Sequence, residues 1–248
     1  MRILVVNPNT TATMTDTIAA AARSVASPGT GIVAMTSASG PVSIEGYYDE
    51  AFSVPGLLAR IAEGQRAGAD AAIIACFDDT GLDAARSMTS IPVLGICESA
   101  LSLASMLGSR ISVVTTLDRS LSPIEHLVHR YGKSRQTRVR AADIPVLSLE
   151  DPNSGAGDRL RSEIRLALAE DRAEVVVLGC AGMADLARQL QKEFGVPVID
   201  GVAAAVKQAE ALISLGLSTS KRGAYAAPAP KPYTGMMERF APGVIAAE

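Results

Sequence analysis

Short apolar runs alternate along this chain with longer, alanine-rich stretches. The runs "ILVV" (3–6), "GIVAM" (31–35), "AAIIA" (71–75), "PVLGI" (92–96), "ISVVT" (111–115), "IPVLS" (144–148), "EVVVL" (174–178) and "PVI" (197–199) predict strands over 2–6, 31–36, 71–75, 92–96, 111–115, 144–148, 174–178 and 197–199. The stretches between them predict helices over 11–25, 55–68, 81–88, 99–107, 122–131, 157–170, 183–194 and 201–215. Gly and Pro mark the junctions, as in "SPGTG" (27–31) and "FGVPV" (194–198). The runs are continuously apolar rather than alternating, which is the mark of parallel strands buried on both faces by helices. The fold class is therefore α/β.

The pattern repeats. Met1-Arg2-Ile3-Leu4-Val5-Val6 resembles Ser109-Arg110-Ile111-Ser112-Val113-Val114 at an offset of 108, and Ile91-Pro92-Val93-Leu94 resembles Val196-Pro197-Val198-Ile199 at an offset of 105. Cys76 and Cys180 each follow a strand-like run and lie 104 positions apart. Three landmarks in one order with a nearly constant offset point to an internal duplication; the alternative is chance likeness between α/β units that share strand and turn composition. The expected architecture is two pseudo-symmetric lobes, each a parallel sheet flanked by helices, with the active site in the cleft between them. The first lobe is expected over 1–97 plus 209–217, the second over 98–208, and a C-terminal arm over 218–248.

At 248 residues with 48% hydrophobic positions, the chain has ample material for such a core. A net charge of −3 without long Lys/Arg runs argues against nucleic acid or an anionic membrane as partner. Small molecules or further copies of the chain are the expected partners. The apolar run at the start ends at Asn7-Pro8-Asn9, too short for a signal-peptide core, and no span reaches the roughly 20 apolar residues of a membrane helix. A cytoplasmic location is expected, where the three cysteines stay free thiols.

Ligands in open α/β sheets bind beyond the carboxyl ends of the strands, where Cys76 and Cys180 fall. A helix start after each is expected to lower the thiol pKa below the free value of about 8.5. Cys97 matches apolar Val202 in the other half and is expected in the core. Two matched thiols facing one cleft suit inversion of a carbon centre, with a base on one face and an acid on the other. The backbone N–H groups of Phe77, Asp78, Ala181 and Gly182 are candidate donors to the enolate between the two transfers. Asp78 enters this reading through its backbone, because its carboxylate beside a thiol would raise the thiol's pKa. The scheme needs no metal and no organic cofactor; His126 and His129 share a helix face but lack a third ligand, so a solvated face is expected there.

Five stretches, "NPNTT" (7–11), "EGYYDEAF" (45–52), "ACFDDTGLDAAR" (75–86), "VVTTLDRS" (113–120) and "GCAGM" (179–183), resemble in order and spacing the aspartate/glutamate racemase superfamily. Within it the hydantoin racemases are most similar, with the allantoin racemases as near relatives. The resemblance implies that Cys76 and Cys180 are the two acid/base thiols and that Asn9, Thr10, Thr115 and Thr116 line the substrate pocket. Asn9 and Thr10 equally suit helix capping. Glutamate racemases commonly carry Thr-His after the second cysteine; here Ala181-Gly182-Met183 follows, which favours a substrate with a more acidic carbon proton, such as C5 of a neutral hydantoin ring. The expected function is cofactor-independent racemisation of 5-monosubstituted hydantoins. The same chemistry on allantoin is the alternative, followed by amino-acid racemisation, malonate decarboxylation, maleate isomerisation and a non-catalytic bilobal binding protein. Resemblance also implies a homo-oligomer, a tetramer or hexamer; the arm, by its Pro- and Ala-rich composition, is expected to be disordered or, by its Tyr, Met and Phe residues, packed on a neighbouring subunit.

Overall fold

The computed structural model describes residues 1–151 and 153–244. Four strands, β1 (Arg2–Asn7), β2 (Gly31–Thr36), β3 (Ala71–Ile74) and β4 (Val93–Gly95), form one parallel sheet in the order β2-β1-β3-β4. Another four, β5 (Ile111–Thr115), β6 (Thr137–Ala141), β7 (Val175–Leu178) and β8 (Val198–Asp200), repeat that order as β6-β5-β7-β8. Register repeats too: Ile3 lies opposite Ala71 in the first sheet, and Ile111 opposite Val175 in the second. The α/β class, the two pseudo-symmetric lobes and the cleft between them are as the sequence leads one to expect.

Among the described residues, eight helices cover the sheets: α1 (Ala12–Val25), α2 (Tyr47–Arg66), α3 (Leu82–Met88), α4 (Ile96–Leu107), α5 (Leu121–Arg130), α6 (Ala156–Glu170), α7 (Ala187–Phe194) and α8 (Gly201–Ser214). Strand side chains alternate between faces. Ile3, Val5, Ile111, Val113, Val175 and Val177 point into one core shared by both lobes. Leu4, Val6, Ala72 and Ile74 point to a second core under α2 and α3, and Val114, Val176 and Leu178 to a third under α6 and α7. The lobes are interlocked, because α4 packs on β7 and β8 while α8 packs on β3 and β4. Where these helices begin they nearly touch: a Cβ on Gly201 would stand 2.6 Å from the Ile96 carbonyl oxygen, so only glycine fits.

Three expectations need correction. The strand expected at 144–148 is instead a loop and a 3-10 turn (Val146–Glu150), and the strand is β6, whose polar "TRVRA" has no apolar run. Pro145 lacks the N–H a ladder needs, whereas an edge strand tolerates charge: Arg140 bonds Glu163 at 2.6 Å, Glu170 at 2.7 Å and Asp171 at 2.9 Å. Helix α2 starts at Tyr47, well before 55, and carries Pro55 inside it; Ser53 Oγ donates to the Asp49 and Glu50 carbonyls, and Asp49 Oδ2 accepts the Glu45 N–H at the helix start. The helix expected from 183 opens as a 3-10 turn (Ala181–Leu186) before α7.

The C-terminal segment lies along the first lobe. Thr219 N–H donates to the Ser90 carbonyl, Lys221 Nζ to those of Arg86 and Ser87, and Tyr225 Oη to Asp83. Residues 245–248 of the arm lie outside the described residues.

Candidate active site

Loops leaving the carboxyl ends of β1, β3, β5 and β7 converge on a cavity of about 40 Å³ between the sheets. Asn7 ends β1 and Asn9 follows it, Cys76, Phe77 and Asp78 follow β3, Thr115 ends β5 with Thr116 after it, and Cys180 and Ala181 follow β7. Met14, Ile44 and Val146 add apolar wall, and Ser120 a hydroxyl. A larger hollow of about 560 Å³ on the outer face of α2, lined by Arg60, Glu63 and Arg66, contains no thiol.

Each thiol is the second residue past its strand, and the backbone N–H two residues on, from Asp78 for Cys76 and from Gly182 for Cys180, favours the charged form of the sulfur. Two of the N–H groups expected to serve an enolate therefore serve the thiolates. Cys97, with no side-chain exposure, sits in the shared core as expected.

The expected lowering of the thiol pKa values is not what the structure shows. Burial pushes Cys180 up to about 11, with repulsion from Asp78 and Glu45 in addition. Burial pushes Cys76 well above the ordinary thiol range, and Asp78 again adds to it. Helix α3 begins only at Leu82 and a 3-10 turn follows Cys180, so neither thiol caps an α-helix whose dipole could offset desolvation. The Asp78 carboxyl faces both sulfurs and is itself held up at about 7, chiefly by burial and further by Glu50 and Asp79.

Asp79 does not cap the helix that follows it. Held at φ 46°, its carboxylate crosses to the start of α4, accepting the N–H groups of Cys97 at 3.0 Å and Glu98 at 2.9 Å, and accepts Tyr131 Oη from the second lobe at 2.7 Å. Gly95 makes room for it, since a Cβ there would stand 2.2 Å from the carboxylate. The Cys76 loop is thus tied both to the inter-lobe helix and to the opposite lobe.

Asn9 lines the cavity but does not cap α1, whose N-cap is Thr11: its Oδ1 accepts the Thr11 N–H at 2.9 Å and Asn7 Nδ2 at 2.8 Å, and its Nδ2 donates to Met14 Sδ. Thr115 lines the cavity while its hydroxyl donates to the Gly179 carbonyl at 3.0 Å. Thr10 is outside the lining; its N–H and hydroxyl both bond the Pro41 carbonyl and tie down the strap 37–46. Gly182 is also outside the lining, and its N–H favours the charged form of Cys180. His126 and His129 are both exposed, as expected, and His126 Nδ1 lies 2.9 Å from Tyr47 Oη across the lobes. Among the described residues, no group of three or more His, Cys, Asp or Glu is placed to hold a metal ion, and no helix is long and apolar enough to cross a membrane.

Sequence reasoning missed Asn7, Ile44, Ser120 and Val146. Asn7 was visible in "NPN", two residues before Asn9. Ile44 sits in a loop without periodicity, and Val146 opens a 3-10 turn inside an apolar run that predicts a strand.

The family model described as Asp/Glu/Hydantoin racemase matches residues 3–209. A hydantoin racemase of Pseudomonas sp. (strain NS671) is 50% identical over 97% of this chain and 97% of its own, and one of Rhizobium meliloti is 51% identical over 95% and 98%. The solved allantoin racemase from Klebsiella pneumoniae superposes with a TM-score of 0.95 at 48% identity, covering 98% of this chain and 99% of that one. A glutamate racemase from Francisella tularensis, at 14% identity and a TM-score of 0.64, shares the fold. With the paired thiol loops, the repeated sheet order and this likeness along nearly its whole length, the chain belongs to the Asp/Glu/hydantoin racemase family.

Proposed function

We propose that this protein is a hydantoin racemase that inverts C5 of 5-monosubstituted hydantoins by proton transfer between Cys76 and Cys180, without a cofactor. The observation that carries the reading is the pair of matched thiols, one from each lobe, lining one cavity. One cysteine, as thiolate, takes the C5 proton, and the electron pair of that C–H bond moves into the adjacent carbonyl as an enolate. The other cysteine, as thiol, delivers its proton to the opposite face of C5 and becomes the thiolate. The Asp78 and Gly182 N–H groups stabilise whichever sulfur is charged, leaving the Phe77 and Ala181 amides for the enolate oxygen. High thiol pKa values make strong bases, which suits a carbon acid. Asn9, Thr115 and Thr116 hold the ring.

Met14, Ile44, Phe77 and Val146 form an apolar wall, which favours an alkyl or aryl substituent at C5. The likeness to solved allantoin racemases favours a second reading, the same chemistry on a ureido-substituted ring. A homo-oligomer and a cytoplasmic location, where thiols stay reduced, belong to the same proposal.

Optical rotation of enantiopure 5-benzylhydantoin, 5-isopropylhydantoin and allantoin separates the substrates; decay to zero at constant mass identifies racemisation. In D2O, Cys76→Ser and Cys180→Ser should each lose inversion by orders of magnitude yet exchange the C5 proton above background, on opposite enantiomers. Exchange of the same enantiomer by both, or near-native racemisation by either, overturns the two-base assignment.

A further inference from the structure

Two buried side-chain oxygens among the described residues have no hydrogen-bond partner: one on Thr137 of edge strand β6, the other on Thr80, four residues after Cys76. Thr80 has no exposed surface. A buried hydroxyl without an acceptor is costly, and such an atom in a native fold asks for an explanation. The candidate acceptor is the sulfur of Cys76, four residues back, whose charged form the hydroxyl favours. A neutral thiol is a weak acceptor, whereas a thiolate is a full anion. The hydroxyl is therefore unsatisfied while Cys76 holds its proton and satisfied once the proton has left.

Its position is not free to drift. Asp79 N–H closes a turn onto the Cys76 carbonyl at 3.0 Å, and the Asp79 carboxylate is pinned by three donors, so the backbone entering Thr80 is fixed. The duplication supplies a built-in control. At the 104-residue offset of the two cysteines, Asp78 matches Gly182, and the N–H of each favours its charged sulfur; Thr80 matches Ala184, which has no hydroxyl.

We propose that Thr80 is a positioning residue for Cys76, its hydroxyl closing on the sulfur only when Cys76 is a thiolate, and that the two thiols of this site are therefore inequivalent. The groups facing Cys76 explain the asymmetry: the Asp78 carboxyl from its own loop, Cys180 from the second lobe and Cys97 from α4 all oppose a charge there, and the Asp78 and Thr80 donors answer it. The inference rests on the reading of Cys76 as one of two bases.

The test reads the thiol itself, so it stands apart from turnover. In a Cys97→Ala, Cys180→Ser protein, the rate of Cys76 alkylation by iodoacetamide is followed at fixed pH below the thiol's midpoint. Loss of one hydrogen bond to the anion in Thr80→Val should raise the thiol pKa by about 1–2 units. Allowing for the greater reactivity of a more basic thiolate, alkylation should slow roughly 3- to 15-fold. Thr80→Ser should restore the rate to within about twofold. In a Cys97→Ala, Cys76→Ser protein, Thr80→Val should leave Cys180 alkylation unchanged. The thermal midpoint of Thr80→Val should not fall, because an isosteric methyl replaces an unsatisfied hydroxyl. An unchanged Cys76 rate in Thr80→Val, or equal slowing at Cys180, overturns the proposal. If Cys76→Ser still racemises while the alkylation pattern holds, the two-base reading fails and the role of Thr80 toward the sulfur stands.

Discussion

At Cys76 and Cys180 two physical effects compete, and the stronger is set by the surroundings rather than by the residues. Backbone N–H groups favour the thiolates, but burial between the lobes outweighs them and both pKa values rise. The same burial acts on Asp78, whose carboxyl titrates at about 7 in the fold against about 3.9 in an unfolded chain. Between those values the folded protein keeps a proton that the unfolded chain has lost. The stability so contributed is fully present below about pH 4, falls as pH rises toward 7 and then levels off. Asp78→Asn removes this titration, so between about pH 5 and 8 the thermal midpoint of the variant should fall less than that of the native protein. Parallel curves for the two would contradict the raised pKa. The thiols themselves were legible in the sequence, because each follows a strand-like run at a matched position. Their protonation was not legible, since burial in the folded protein does the desolvating.

Elements show how a duplicated plan diverges while its geometry is kept. Helix α8 is capped from its own position: Asp200 accepts the N–H groups of Val202 and Ala203, both at 2.9 Å. The matched position before α4 is Gly95, and the cap comes instead from Asp79 in the Cys76 loop. Asp200→Ala should cost about 1 kcal/mol in urea unfolding, the ordinary worth of a cap. Gly95→Ala should cost more, because its Cβ drives the Asp79 carboxylate from three donors and leaves them buried and unpaired. It should also lower turnover by displacing the Cys76 loop. A Gly95→Ala protein as stable and active as the native one would show that Asp79 does not hold that loop. Strand β6 teaches the complementary lesson. Hydrophobic runs find buried strands, but an edge strand stabilised by Arg140 and its three acidic partners carries no such signal.

On the scale of the whole molecule, the cleft is narrow, though Cys76 and Cys180 both keep some exposure. A cavity of about 40 Å³ admits little more than water, whereas a substituted hydantoin needs several times that volume. Several bonds join the lobes: Tyr47 with His126, the Val146 N–H with Glu45, Tyr131 with Asp79 and Arg130 with Asp83. Binding must open and reclose these contacts, a gating motion of the kind that excludes water from many active sites. A 5,5-dimethylhydantoin has no C5 proton and so reports binding without reaction. Saturation with it should slow amide exchange in the strap 37–46 and in 144–148, as the cross-lobe contacts close over the ring. Binding without added protection in either segment would rule out these loops as the gate.

What the sequence determined by itself is what depends on near neighbours: apolar runs, helix-length spacers, the repeated order of elements, and the two cysteines at matched strand ends. These follow from local stereochemistry and from the need of each strand to be covered on both faces. Tertiary structure alone decided which groups meet across long stretches of chain, such as Asp79 with Tyr131 and Glu45 with Val146. It also decided how charged the site is. A carboxyl or thiol takes its proton affinity from the dielectric and charges around it, and here those are assembled from both lobes at once.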